Sequence, residues 1–180
     1  GEGTVEAVID ATGGTMRKVL VSGPLWEKTE ASYGVFHENC AIIEMAAASG
    51  LPMVPAELRN PLNTTTYGTG ELIRDALDAG YRKLAIAIGG SATNDGGMGA
   101  MIALGVRFLD ADGRELSGIG VDLEKVVDID TSGLHPAAKD ATFTVMCDVT
   151  NPLTGLDGAT YTFGKQKGGT SEILDQLEAG

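Results

Sequence analysis

Leu84-Ala-Ile-Ala-Ile-Gly-Gly-Ser-Ala-Thr-Asn-Asp-Gly-Gly-Met-Gly99 is an apolar run that breaks into glycines and small polar residues. Residues 84–88 are continuously apolar and short enough for a buried strand, and Met98, Met101, Ile102 and Leu104 resume at helical spacing. The stretch therefore predicts strand, tight loop and helix start, with the loop at the strand's carboxyl end. In open α/β sheets ligands bind at that end, because helix amino termini converge there with unpaired N–H groups and a positive dipole end. Ser91, Thr93 and Asn94 add short donors. Gly89, Gly90, Gly96, Gly97 and Gly99 permit close approach, at about 1 kcal/mol for each glycine inside the helix. On residue types alone two readings stay open: an anion site, or a tight turn with Asn94 or Asp95 as N-cap.

Upstream, residues 4–11 place Val5, Val8 and Ile9 on one helical face, with Thr4 as cap and Gly13-Gly14 as stop. Residues 16–22, 29–36 and 40–45 are β-rich runs separated by Gly23-Pro24 and His37-Glu38-Asn39, which predicts an antiparallel meander. Glu44 ends an apolar run and is read either as a solvated strand end or as a carboxylate in a cleft. Residues 59–70 read as a long polar loop, and 71–79 as a helix with Leu72, Ile73, Ala76 and Leu77 on one face, stopped by Gly80. A helix over 94–104 is followed by a short strand at 106–109.

Residues 110–134 form an acidic excursion with one short strand around 126–129. Asp110-Ala-Asp-Gly113 lacks the rest of a calcium loop. Residues 141–149 read as another apolar strand, ending in Asp148-Val-Thr-Asn151-Pro152, and a helix begins at Ser171 as N-cap. The early meander argues for antiparallel pairing and the later strand–helix–strand units for parallel pairing. The expected fold is an α/β single domain of mixed α+β character over 1–180, its mixed parallel and antiparallel sheet flanked by helices.

A chain of 180 residues with 43% hydrophobic and 21% charged residues is ordinary for a globular protein and long enough to bury a core. A net charge of −12 with thirteen scattered Lys and Arg argues against nucleic acid, so an anionic ligand has to be held locally. The apolar stretches fall short of a membrane span and no signal-peptide pattern opens the chain, from which a cytoplasmic location is expected. Cys40 and Cys147 lie in apolar strand-like runs, which favours buried free thiols over a disulfide or a nucleophile. With only His37 and His135, a histidine zinc site is not expected, and no metal ligand is assigned.

A Walker loop, a G-x-G-x-x-G after a strand and a G-x-S-x-G elbow are all missing. What remains is a set of loops suited to a small, polyoxygenated anion. In this setting Gly89-Gly-Ser-Ala-Thr-Asn-Asp-Gly-Gly97 followed by Leu104-Gly resembles the most distinctive motif of the bacterial-type glycerate kinases. Further blocks resemble the family in the same order: Glu44-Met-Ala-Ala-Ala-Ser-Gly-Leu51, Arg59-Asn-Pro-Leu with Thr64-Thr65, Gly68-Thr-Gly-Glu-Leu-Ile73, Cys147-Asp-Val-Thr-Asn-Pro-Leu153 and Phe163-Gly-Lys-Gln-Lys-Gly168. Lys165 departs from the proline usual in the family.

The resemblance implies phosphoryl transfer from ATP to a hydroxyl of glycerate, with Mg2+ at the phosphates. It also implies a longer chain in which this segment is an inserted lobe beside a Rossmann-like lobe of the same polypeptide; Gly1-Glu-Gly-Thr4 resembles the tail of a D-G-G-E-G-T block. It makes Asp95 a candidate base or metal ligand, and Lys167 or Arg59 the offset to anionic charge. The substrate- and phosphate-binding set is then Glu44, Arg59, Thr65, Gly68, Thr69, Gly89, Gly90, Ser91, Thr93, Asn94, Asp148 and Asn151. The alternative is a stand-alone, non-catalytic module that binds a small anion.

Overall fold

The computed structural model describes residues 3–180, so Gly1 and Glu2 of the opening block lie outside the described residues. In chain order the elements are α1 (Thr4–Thr12), β1 (Thr15–Ser22), β2 (Lys28–Phe36), β3 (Cys40–Glu44), α2 (Ala46–Ser49), α3 (Tyr67–Asp78), β4 (Lys83–Ala87), α4 (Met98–Ala103), β5 (Arg107–Leu109), β6 (Asp128–Asp130), β7 (Thr142–Met146), α5 (Ala159–Phe163) and α6 (Ser171–Ala179). Five strands form one sheet in the order β1-β2-β3-β4-β7, and β5 and β6 pair separately as an antiparallel ribbon. β1, β2 and β3 run antiparallel through short connections, whereas β3, β4 and β7 run parallel. Parallel neighbours need long crossovers, and the segment carrying α3 and the one carrying α4 supply them. The chain is one mixed α/β domain with a mixed sheet, as the alternation of meander and strand–helix–strand units predicts.

Leu84 and Ile86 of β4 alternate onto the face that holds Tyr33, Val35, Ala41 and Ile43, and α3 seals this face with Leu72, Ile73, Ala76 and Leu77. α1 lies on the opposite face, with Ile9 close over Gly34. The three parallel strands end together, so the segments after Glu44, Ala87 and Met146 gather at one edge of the sheet. α3 and α4 pack so closely there that a Cβ on Gly99 would collide with Thr65 Oγ1 and the Tyr67 backbone nitrogen. Gly99→Ala is expected to lower stability by about 1–3 kcal/mol through overpacking, read as a lower denaturant midpoint with an unchanged slope.

Several local expectations change. α3 starts at Tyr67, four residues before the expected helix, because its glycine-rich first turn packs against other backbone: a Cβ on Gly70 would strike the Ala100 carbonyl. The expected 94–104 helix is helical only over Met98–Ala103, after the tight loop. α1 is preceded by Gly3 rather than capped by Thr4, and α6 is capped by Thr170, whose hydroxyl accepts from Ile173 N at 3.4 Å, rather than by Ser171. Among the described residues β7 pairs with β4 alone, and within this chain all five of its residues are exposed although its apolar run reads as buried. For the same reason Cys147, just beyond β7, is exposed, and Cys40 is only partly buried; both thiols are free. The reading of both as buried thiols is therefore corrected. Among the described residues no helix is long and apolar enough to cross a membrane.

Candidate functional site

The glycine loop leaves β4 at the edge where the parallel strands end, as the opening stretch predicts. Gly89, Gly90 and Ser91 lie outside helix and strand, and among the described residues their N–H groups have no partner in the chain. The Gly90 carbonyl accepts from Leu51 N at 2.9 Å, which ties the loop to the segment after α2. Beside these residues opens a cavity of about 460 Å³, lined on its polar side by Gly89, Gly90, Ser91, Asp148, Asn151 and Lys167. Val149, Pro152 and Leu153 beyond β7, with Ala159 and Phe163 of α5, make the rest of the wall apolar.

Lys167 is the cation at this wall. Its Nζ donates to Ser91 Oγ at 3.1 Å and to the Thr93 carbonyl at 2.5 Å, so the ammonium is held against the glycine loop. Burial lowers its pKa to about 8, opposed by the charge of Asp95. A short 3-10 turn, Lys165–Lys167, carries it, closed by Gly168 at φ 93°. A side chain at 168 would be strained there and would also strike the Arg59 carbonyl. The turn, with Lys165 at its start, delivers Lys167 to the loop.

Asp95 does not line the cavity; it is 1% exposed and serves as the knot behind it. Its Oδ2 accepts from Thr66 N at 2.8 Å, Thr66 Oγ1 at 2.7 Å and Gly99 N at 3.2 Å, and its Oδ1 accepts from Gly97 N at 3.1 Å. Thr66 Oγ1 accepts in turn from Ala100 N at 2.9 Å. The carboxylate therefore joins the start of α3 to the start of α4. Burial pushes its pKa up, and the donors from Thr66, Gly97 and Gly99 only partly offset this. Of the two open readings of the loop, the capping one describes what Asp95 does, although the N-cap position of α4 is Gly97.

The other candidates divide. Gly89, Gly90, Ser91, Asp148, Asn151 and Lys167 come together at the cavity. Thr93 contributes its carbonyl to Lys167, and Asn94 reaches Thr160 Oγ1 at 3.3 Å, linking the loop to α5. Asn151 donates to the Asp157 carbonyl at 2.9 Å and to Thr162 Oγ1 at 3.3 Å, which fixes the turn after β7. Thr65, Gly68 and Thr69 are buried around the first turn of α3; Thr69 and Ser49 share a hydroxyl hydrogen bond at 2.9 Å. Arg59 turns its Nε to the Val54 carbonyl at 3.3 Å and is not among the lining residues. Glu44 is partly buried at the strand end, and its Oε1 accepts from Thr4 N and Val5 N, at 2.6 and 3.1 Å, and so caps α1.

Sequence reasoning passed over Thr66, the main partner of Asp95, and the apolar lining residues. Thr66 stands in a run of three threonines that only the fold tells apart. Val149, Pro152 and Leu153 sit inside a quoted block, yet apolar residues in a loop carry no mark of what they face.

Comparison with known proteins agrees with this architecture. The sequence model of the Glycerate kinase family matches residues 1–180. The chain is 54% identical over 179 residues to the glycerate 2-kinase of Escherichia coli K12 and 53% identical to the glycerate kinase of Bacillus subtilis 168, covering 99% of this chain in each case. A crystal structure from Salmonella typhimurium LT2 superposes with a TM-score of 0.96 at 52% identity over 99% of this chain and 48% of that one. The chain spans about half the length of the curated relatives it matches, 47% of each of the first two. With the match running the full length of the chain, and the glycine loop and Lys167 meeting at one cavity, the chain belongs to the glycerate kinase family.

Proposed function

We propose that this chain supplies one wall of the cleft in a kinase that transfers a phosphoryl group from ATP to a hydroxyl of glycerate, giving phosphoglycerate. The observation that carries the reading is the Lys167 ammonium held against Ser91 and Thr93 beside three unpartnered loop N–H groups. Phosphoryl transfer asks a protein mainly for positioning and for neutralisation of charge on the transferring oxygens. In this reading Gly89, Gly90 and Ser91 hold phosphate oxygens through N–H groups, and Lys167 offsets the charge that develops there. Asp95 acts as a positioning residue, together with Thr65, Thr66, Gly68 and Thr69, by fixing the two helix starts behind the loop. Arg59, Thr93 and Asn94 keep the Lys167 turn and α5 in place, and Glu44 supports the edge through α1. The part of the relatives that this chain does not match is proposed as the Rossmann-like lobe forming the opposite wall.

Among the described residues no three His, Cys, Asp or Glu stand together as a metal site, and Asp148 is the carboxylate at the cavity. That fits Mg2+ arriving on phosphate oxygens, since Mg2+ is usually held through one or two carboxylates plus substrate phosphates. When bound it would neutralise phosphate charge, with Asp148 as its one ligand from this wall.

The test is a chimera in which this chain replaces the matching segment of the E. coli relative, assayed for ADP release with glycerate. ATP-dependent turnover that neither part shows alone is the expected result. An inactive, folded chimera combined with inorganic phosphate binding by the chain alone would instead favour the stand-alone anion-binding module.

A further inference from the structure

We infer that the apolar part of the cavity, formed by Val149, Pro152, Leu153, Ala159 and Phe163, receives the nucleobase of the phosphoryl donor, and that glycerate binds outside it. The inference rests on the kinase reading above, and it assigns the two substrates to different places.

Size is the first argument. A volume of about 460 Å³ falls within the roughly 300–1,000 Å³ of pockets that bury drug-sized ligands. Glycerate is a three-carbon acid in which every carbon bears oxygen, so it would leave most of that space empty and has no apolar face to set against Phe163 or Pro152. An aromatic ring with a polar edge matches such a wall, because its faces gain from apolar contact while its edge asks for a few donors and acceptors. Gln166 offers both: it lines the cavity, is exposed and, among the described residues, its side chain makes no hydrogen bond.

Order along the wall is the second. The phosphate-type groups, Gly89, Gly90 and Ser91, follow β4, while Val149, Pro152 and Leu153 follow β7. β4 and β7 are hydrogen-bonded neighbours, and adjacent strands lie about 4.8 Å apart, so the two chemistries sit within the reach of one nucleotide.

The experiment compares Leu153→Asp and Phe163→Ala in the chimera. The KM for ATP should rise about tenfold, equivalent to roughly 1.4 kcal/mol of lost apolar contact, while the KM for glycerate stays within about twofold. A rise in the KM for glycerate with that for ATP unchanged would overturn the assignment. A second measurement does not depend on turnover: photolabelling with 8-azido-ATP, followed by peptide mapping. Label within residues 147–163, displaced by ADP and adenosine but not by glycerate or inorganic phosphate, supports a nucleobase site even if the chimera is inactive. Label elsewhere, or displacement by glycerate, rejects it. Within this chain Leu153 lies outside the buried core, so its replacement leaves this domain's packing untouched.

Discussion

Asp95→Ala is expected to destabilise the domain by about 3 kcal/mol, read as a fall of about 6–12 °C in Tm for a chain of this size. The side chain is 1% exposed, and its removal leaves the buried N–H groups of Thr66 and Gly99, and the partly buried one of Gly97, without their acceptor. Asp95→Asn keeps the shape and one acceptor and should retain most of the stability. The pair also carries a pH signature. The folded-state pKa of Asp95 is raised by burial, so the native state keeps its proton to higher pH than the unfolded chain, whose value is about 3.9. Stability from this group is then largest below the unfolded value and declines as pH rises through the folded one. The Tm of the parent relative to the Asn variant should fall over that window, because only the parent titrates. A flat difference would show that the carboxylate is ionised at no net disadvantage in place.

Lys167→Met is expected to separate activity from stability. In the active chimera kcat/KM should drop by about 10²–10³, the usual loss on removing one donor aimed at developing negative charge. Tm should change little or rise, since an ammonium with a pKa lowered to about 8 is one that burial disfavours in its charged form. For the parent the sign is as follows. The native state binds fewer protons than the unfolded chain between about 8 and the unfolded lysine value near 10.4, so stability rises with pH across that window. Activity that requires the cation should fall as pH passes about 8, and the Met variant should lack that limb. Unchanged turnover in Lys167→Met would remove the residue from the catalytic set.

Much of this arrangement was legible along the chain. The continuous apolar run 84–88, short and followed by glycines, reads as a buried strand, and β4 occupies Lys83–Ala87 at the centre of the parallel strands. The short connections at Gly23-Pro24 and His37-Glu-Asn39 likewise implied the meander that β1, β2 and β3 form. Where reading along the chain stopped short, the deciding contact was distant in sequence. Glu44 finds its donors 40 and 39 residues away on α1, Asp95 finds Thr66 29 residues away, and Lys167 reaches Ser91 over 76 residues. No local spacing encodes such pairs.

β7 shows the converse. Its apolar content marks it as a strand, yet whether a strand is central or at an edge depends on which neighbours pair with it, and among the described residues β4 is its one partner. Within this chain its exposure, and that of Cys147, follows from that position rather than from composition. The sequence by itself therefore determined the elements, the mixed sheet and the loop at the end of β4, because periodicity and turn chemistry are local properties. The tertiary structure alone decided what that loop does with its polar residues. It turned Asp95 inward to knot two helix starts and brought Lys167 in to stand at the cavity, because burial and hydrogen-bond geometry exist only once distant segments have met.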